Sequence, residues 1–100
     1  MLTSYSLSDV PAHLDSVHNY YEHMVMGEIH KQIGGKTFST DFIADVACVA
    51  LNNLPPRYIR YDVDMAFYLS PKESLEMEEK VAHAVRDALT FVEIRGNRSL

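Results

Sequence analysis

The apolar residues in the first third of the chain recur every three or four positions. This spacing puts them on one face of a helix, which we predict to begin at Pro11 and to end before Gly34 and Gly35. The predicted apolar face consists of Leu14, Val17, Tyr21, Met24 or Val25, Ile29 and Ile33. The pattern therefore predicts a long first helix with one buried face.

A second helix is predicted from Phe42 to Leu54. Ser39 or Thr40 provides a side-chain oxygen that can cap its first turn. Proline lacks a backbone donor and pushes the preceding residue out of helical geometry, so Pro55 ends the helix. One face carries Ile43, Val46, Ala47, Ala50 and Leu54, and further apolar residues lie around it. We therefore expect a central helix that is buried on most sides.

From about residue 58 to residue 69 the pattern changes to a period of two. One set of alternating positions is apolar: Ile59, Tyr61, Val63, Met65, Phe67 and Leu69. The other set is Tyr58, Arg60, Asp62, Asp64, Ala66 and Tyr68. Because successive side chains of a strand point to opposite faces, this alternation predicts one long half-buried strand.

The letters "SPKE" then predict the start of a final helix. Ser70 is placed as the capping residue, Pro71 as the first helical residue, and Glu73 as the partner that reaches back in a capping box. The helix is predicted to run to about Glu93. Its inward face is predicted to be Leu75, Met77, Val81, Ala82, Val85, Ala88, Leu89 and Val92. The fold class is thus α+β and mostly helical, with three main helices and one long strand.

The chain has 100 residues, of which 47% are hydrophobic. That is enough for one domain with its own core. We predict a flexible N-terminal segment over residues 1–10, a single domain over residues 11–94 and a flexible tail over residues 95–100.

A single strand leaves its backbone hydrogen-bonding groups unpaired. The simplest partner is the same strand of a second copy, paired antiparallel about a two-fold axis, and we therefore predict a homodimer. The alternative is a strand supplied within the chain, by Tyr5–Val10 or by the tail.

Composition excludes several classes of protein. The net charge of −5 disfavours direct binding to nucleic acid. No apolar run approaches the roughly 20 residues of a membrane-spanning helix, so we expect no membrane insertion, and no signal peptide is apparent. Cys48 is the only cysteine and lies in an apolar helical run, where we expect a small buried hydrophobe. These features favour a cytoplasmic protein.

The polar side of the predicted strand carries the candidate binding chemistry. Arg57 and Arg60 can bind phosphate oxygens or the O6/N7 edge of guanine. Asp62 and Asp64 can accept hydrogen bonds from guanine N1 and N2, and Tyr58 can stack on a base. The other interpretation is structural, because the exposed face of a half-buried strand is expected to be polar in any case.

Catalytic and metal sites are less well supported. Asp62 and Asp64 could form an acid/base pair, but no other feature indicates a reaction, so we predict no enzyme activity. The first helix carries several histidines and two glutamates, but no two histidines have the i, i+4 spacing of a helical metal clamp. Surface histidines are the favoured interpretation. The residues concerned are His13, His18, Glu22, His23, Glu28 and His30.

Two stretches, "YYEHMV" and "DFIADVACVALNNLPPRYIRYDVDMAFYLS", resemble the late competence development protein ComFB family. The resemblance spans about Val17 to Leu89 and is centred on a helix that runs into an "LPPRY" turn. One branch of that family is described as a dimer with a cysteine-ligated zinc. A single cysteine cannot form such a site, so zinc is not expected here.

The branch with the "LPPRY" signature, best known from cyanobacteria, is reported to bind cyclic di-GMP, and cyclic di-AMP is also discussed as its ligand. The resemblance thus implies a non-enzymatic, homodimeric cyclic di-GMP receptor that signals to an unknown downstream protein. We assign Arg57 and Arg60 to phosphate or the guanine Hoogsteen edge. Tyr58 or Tyr61 would stack, and an aspartate, Asp62 or Asp64, would take the guanine N1 and N2 donors.

Two other functions remain open at this point. The first is a constitutive protein-interaction adaptor, related to competence or pilus functions, in which Arg60 pairs with Asp62 or Asp64 across the dimer and no nucleotide binds. The second is direct DNA binding, which the net charge disfavours.

Overall fold

The computed structural model describes residues 16–61 and 63–98. The elements in this part are mostly helical, with one small antiparallel sheet of two short strands. In chain order they are β1 (His18–Asn19), α1 (Tyr21–Ile33), α2 (Thr40–Asn52), β2 (Tyr58–Ile59), α3 (Val63–Tyr68) and α4 (Pro71–Arg98). The predicted lead-in over residues 1–10 and Leu14 of the predicted first helix lie outside the described residues.

Three helices, α1, α2 and α4, pack against one another and enclose the core. Val25, Ile29, Val46 and Val85 are fully buried at their centre. The core is completed by Tyr21, Ala50, Leu54, Met65, Met77, Val81, Ala84, Ala88 and Val92. Burying one such aliphatic side chain contributes about 1.5–3 kcal/mol, so this three-helix contact holds the domain together.

The first helix is shorter than predicted. It begins at Tyr21 rather than Pro11, and Val17 is 42% exposed. Residues 18 and 19 are extended instead, because their backbone pairs with β2. The predicted end is confirmed: Gly34 adopts a φ of +60° and its amide N–H donates to the His30 carbonyl at 3.3 Å.

The second helix is confirmed over most of its predicted length. Ser39 is extended, and its Oγ accepts a hydrogen bond from the Phe42 N–H at 3.1 Å. The expectation that Cys48 is buried is wrong, since this side chain is exposed. Val46 and Ala50 are one helical turn apart and face the core. Cys48 lies about 200° around the helix from Val46 and therefore points away from it.

The long strand over residues 58–69 is wrong. Only Tyr58–Ile59 is a strand, and Val63–Tyr68 forms α3. Met65 is 3% exposed, whereas Phe67 is 81% exposed. Burial does not alternate from one residue to the next. Met65 and Leu69 lie four residues apart, on one face of a helical turn. The Leu69 N–H donates to the Met65 carbonyl at 3.0 Å.

The short strand finds its partner within the chain. β1 pairs antiparallel with β2, with His18 opposite Ile59 and Asn19 opposite Tyr58. The alternative prediction, a partner strand within the same chain, is therefore confirmed. The partner is β1, which is neither of the two segments predicted to supply it. Tyr5–Val10 lies outside the described residues, and the tail is helical as far as Arg98. Backbone pairing no longer argues for a dimer, and homodimerisation stays a prediction.

The final helix begins as predicted. The Glu73 N–H donates to Ser70 Oγ and the Ser70 N–H donates to Glu73 Oε1, both at 3.1 Å. The helix continues beyond Glu93 to Arg98. Leu75 is exposed rather than inward, because it lies about 200° from the buried Met77. Within the described residues, no helix is both long and apolar enough to cross a membrane.

Candidate functional site

The segment Arg57–Tyr61, with the letters "RYIRY", lies in β2 and at its edges. We call it the RYIRY segment. Ile59 is half-buried against the core, whereas Arg57 and Arg60 are exposed. Tyr58 is 67% exposed and Tyr61 is 54% exposed. The segment therefore presents two guanidinium groups and two phenol rings on the surface, anchored from beneath by Ile59.

Asn19 fixes the start of this segment. Its side chain is 8% exposed, and its Oδ1 accepts hydrogen bonds from the Arg57 N–H at 3.0 Å and the Tyr21 N–H at 3.2 Å. In return, the Tyr20 N–H donates to the Arg57 carbonyl at 2.7 Å. The backbone of Arg57 is thus held from both sides by the turn that leads into α1.

Sequence reasoning missed Asn19, because it placed that residue inside the predicted first helix. One signal could have revealed it. Asparagine favours turns and caps over helix interiors, since its side chain competes for backbone groups. The sequence "SVHNYY" therefore contained a reason to begin the helix later.

The Arg60 side chain has two described contacts. Its Nε–H donates to Ser16 Oγ at 3.0 Å. Its guanidinium carbon lies 5.1 Å from the centroid of the Tyr61 ring, within the range of a cation–π interaction. These contacts hold a planar cation against an aromatic ring at the surface. The predicted role of Tyr61 as an inward residue of a strand is wrong, because its ring is exposed.

Arg57 lies close enough to the start of α4 to influence Glu73. The pKa of Glu73 is lowered chiefly by the hydrogen bond from the Ser70 amide and then by the Ser70 hydroxyl. The positive charge of Arg57 lowers it further by a smaller amount. The positive charge of Arg57 therefore acts on the first turn of α4.

The predicted aspartates are placed differently from the arginines. Asp64 is half-buried in the first turn of α3, and its N–H donates to the Tyr61 carbonyl at 3.1 Å. A carboxylate in a first turn interacts favourably with the helix dipole, which gives Asp64 a structural role. The prediction that Asp64 lies on a strand face beside Arg60 is therefore wrong. Asp62 lies outside the described residues.

Large apolar side chains are exposed next to the RYIRY segment. Val63 is 62% exposed, Phe67 is 81% exposed and Tyr68 is 75% exposed, all in α3. Soluble monomers seldom leave a large apolar patch uncovered without a binding role. The exposed side chains of the RYIRY segment and of Val63, Phe67 and Tyr68 are therefore well suited to contact a ligand or another protein.

The histidines have local contacts. The rings of His18 and His23 lie edge to face with centroids 6.2 Å apart, and His30 Nδ1 donates to the Met26 carbonyl at 2.8 Å. Among the described residues, no three His, Cys, Asp or Glu side chains are grouped as metal ligands would be. His13 lies outside this part. The expectation that the protein holds no zinc stays a prediction.

Comparison with known proteins identifies a family for most of the chain. The family model described as "Late competence development protein ComFB" matches residues 18–95, from β1 into the last turns of α4. No curated protein matches the chain. Because the match covers well over half of the sequence and includes the RYIRY segment, the chain belongs to the late competence development protein ComFB family.

Proposed function

We propose that this protein is a cytoplasmic receptor for cyclic di-GMP that catalyses no reaction, acts as a homodimer and passes its ligand state to another protein. The observation that carries the proposal is the RYIRY segment, in which Arg57, Tyr58, Arg60 and Tyr61 are all exposed. Family membership is consistent with it but does not by itself specify a ligand.

The side chains of this segment suit a guanine dinucleotide. The guanidinium groups of Arg57 and Arg60 match phosphate oxygens and the O6/N7 edge of guanine, and each such bidentate contact is worth about 1–3 kcal/mol of discrimination. Tyr58 and Tyr61 offer ring faces for base stacking, worth about 1–3 kcal/mol per base. Because Arg60 already packs on Tyr61, a base that stacks there would contact both groups.

In this proposal the aspartates can contact guanine only from a more restricted direction than the predicted strand allowed. Asp62 or Asp64 would accept from guanine N1 and N2, which adenine lacks as a pair of donors. Asp64 is half-buried in α3, so a guanine must approach the start of that helix to reach it. This contact would favour cyclic di-GMP over cyclic di-AMP.

A homodimer suits a ligand with two-fold symmetry. Two copies of the RYIRY segment near one axis would supply four arginines to two phosphates. The exposed Phe67 and Tyr68 beside the segment provide apolar surface that a second copy can bury. This reasoning replaces the strand-pairing argument, which the β1–β2 pair removes.

The same exposed side chains favour a second candidate function, a constitutive protein-interaction adaptor without nucleotide binding. Phe67 is 81% exposed and needs no nucleotide to attract a protein partner. In that case Arg60 would serve only to hold residue 16 and the Tyr61 ring. The two functions make opposite predictions about nucleotide affinity.

Isothermal titration with cyclic di-GMP tests the proposal, with cyclic di-AMP and GTP as controls. We expect saturable binding that Arg60→Ala weakens at least about tenfold, because one charge-assisted contact is lost. Arg86→Ala is the matched control, since Arg86 is exposed on α4 and contacts His83. Circular dichroism checks that both variants keep their helices.

Absence of heat with all three nucleotides, in folded protein whose dimer is confirmed by light scattering, would contradict the receptor function. The adaptor would then be the better account. Equal losses in Arg60→Ala and Arg86→Ala would instead place the nucleotide away from the RYIRY segment.

A further inference from the structure

A concave surface lies between α2 and the end of α4. We call it the α2–α4 groove. Its volume is about 900 Å³, within the roughly 300–1,000 Å³ range of ligand clefts. The groove runs along α2 from Asp41 to Val49, and its lining includes no residue of the RYIRY segment, which follows the end of that helix.

The apolar part of the groove is aromatic. Phe42 stacks on Phe38 with ring centroids 4.6 Å apart and an interplanar angle of 15°. Phe91 of α4 also lines the groove and is 47% exposed, and Val49 of α2 adds an aliphatic side chain. Such a surface can accept apolar side chains from a partner without rearrangement of the core.

The charged side chains of the groove are mostly acidic. Three carboxylates, Asp41, Asp45 and Glu93, face one guanidinium, that of Arg95. Arg95 lies over the Phe91 ring, with 5.5 Å between the guanidinium carbon and the ring centroid. The formal charge at the groove is therefore −3 plus +1, or −2, around an aromatic floor.

We propose that the α2–α4 groove docks a cationic, amphipathic segment of a partner protein, with apolar side chains against Phe42 and Phe91 and lysines or arginines against Asp41, Asp45 and Glu93. Amphipathic helices commonly bind apolar grooves through side chains three or four residues apart. Opposite charge around such a groove speeds association and fixes orientation.

Charge also argues against the other occupants. A cyclic dinucleotide is doubly anionic and would be repelled by three carboxylates. A second copy of this chain carries a net charge of −5. Residues 1–15 of the same chain contain Asp9 and Asp15 and neither lysine nor arginine. A cationic partner is the occupant that the groove complements.

Cys48 provides a built-in reporter of occupancy. It is exposed, lines the groove and is the only cysteine in the chain. The probe is an amphipathic helical peptide of leucine and lysine, and the same peptide with glutamate in place of lysine is its control. At a peptide concentration about ten times Kd, alkylation of Cys48 by neutral iodoacetamide should slow about tenfold. The glutamate peptide should leave the rate unchanged.

Matched variants localise the binding. Asp45→Lys should weaken the lysine peptide at least about tenfold in fluorescence anisotropy, because an attractive charge becomes repulsive. Glu22→Lys makes the same charge change on the exposed side of α1 and should leave the affinity unchanged. Phe91→Ala should also weaken binding, whereas Leu75→Ala removes a similarly exposed side chain elsewhere on α4 and should not.

Three results would overturn the proposal. The first is no peptide binding, and the second is equal weakening by Asp45→Lys and Glu22→Lys, which would indicate attraction to the acidic surface in general. In the third result, Cys48 does not react with iodoacetamide in the protein without peptide. It reacts only once Asp45→Lys has converted a dimer to a monomer. In that case a second copy covers the groove. None of these results depends on cyclic di-GMP binding.

Discussion

At the scale of single residues, a few buried polar contacts place the candidate site. Asn19 accepts two backbone hydrogen bonds through one oxygen, from Arg57 and Tyr21. Ile59 anchors the same segment through apolar contact. The exposed arginines and tyrosines thus depend on residues that would not themselves touch a ligand.

Asn19→Ala should lower the free energy of unfolding by about 1–3 kcal/mol, because it leaves one buried and one partly buried N–H group without an acceptor. It should also weaken any ligand of the RYIRY segment, since the Arg57 backbone loses its anchor. Urea denaturation and titration measure the two effects. Asn19→Asp keeps an acceptor oxygen and should recover much of both. If Asn19→Ala and wild type have equal stability, the anchoring role is wrong.

Glu73 makes a further residue-scale prediction, on pH. Its pKa is lowered in the folded state, mainly by the Ser70 amide, so the native state favours the carboxylate. Its contribution to stability is therefore fully present above the unfolded pKa of about 4.3 and is lost as the pH falls through the lower folded value. Glu73→Gln should thus destabilise the protein at neutral pH, and the difference should shrink on acidification.

Urea denaturation of wild type and Glu73→Gln at about pH 7 and about pH 3 measures this difference. Glu78→Gln removes an exposed carboxylate from the same helix without disturbing the capping box, and should have a smaller effect at neutral pH. A stability difference for Glu73→Gln that grows as the pH falls would contradict the assignment.

At the scale of elements, local signals at helix ends were the reliable ones. Ser39, Ser70 and Gly34 each mark a helix end through a contact within four residues along the chain. The alternation from Tyr58 to Leu69 was not reliable beyond β2. A period of two over a short stretch also contains pairs four apart, such as Met65 and Leu69, which a helical turn brings together.

Gly34→Ala should destabilise the protein by about 1–3 kcal/mol, because its φ of +60° at the end of α1 is one that side chains with a Cβ rarely adopt. Gly35→Ala is the matched control. Gly35 has no positive φ, and an added Cβ would meet nothing within 4 Å. Thermal unfolding by circular dichroism compares the two. Equal melting temperatures would show that the backbone at Gly34 is not constrained as described.

At the scale of the whole molecule, three helices make most of the core, and α3 leaves Val63, Phe67 and Tyr68 exposed. Met65 is the residue through which α3 joins the core, while Phe67 and Tyr68 lie on the surface. Exposed apolar side chains of this size favour a binding partner that covers them. In the proposed receptor, that cover is a second copy and the ligand.

Phe67→Ser should therefore weaken the proposed dimer at least about tenfold, since burying a phenylalanine is worth about 1.5–3 kcal/mol. Its helical content should be unchanged, because the side chain is 81% exposed in the single chain. Sedimentation equilibrium gives the dissociation constant. Met26→Ser removes a partly exposed side chain from α1 and serves as the control. An unaltered dimer in Phe67→Ser would move the interface elsewhere.

The sequence by itself determined the three main helices, the caps at Ser39 and Ser70, the glycine stop at Gly34 and most of the core. These depend on residues within one or two turns of one another and on a repeated apolar spacing, both of which are visible along the chain. It also pointed to Arg57, Tyr58 and Arg60, whose exposure the structure confirms, and to Tyr61, whose exposure corrects its predicted place on the apolar face.

Only the tertiary structure decided that Tyr58–Ile59 forms β2 and Val63–Tyr68 forms α3, and that β1 of the same chain pairs with β2. It also exposed Cys48 and gave Asn19 its place beneath Arg57. The β1–β2 pair and the position of Asn19 share one physical reason. These features depend on hydrogen bonds and packing between residues far apart in sequence, such as Asn19 and Arg57, and no local pattern of apolar spacing records which distant partner a backbone group will find.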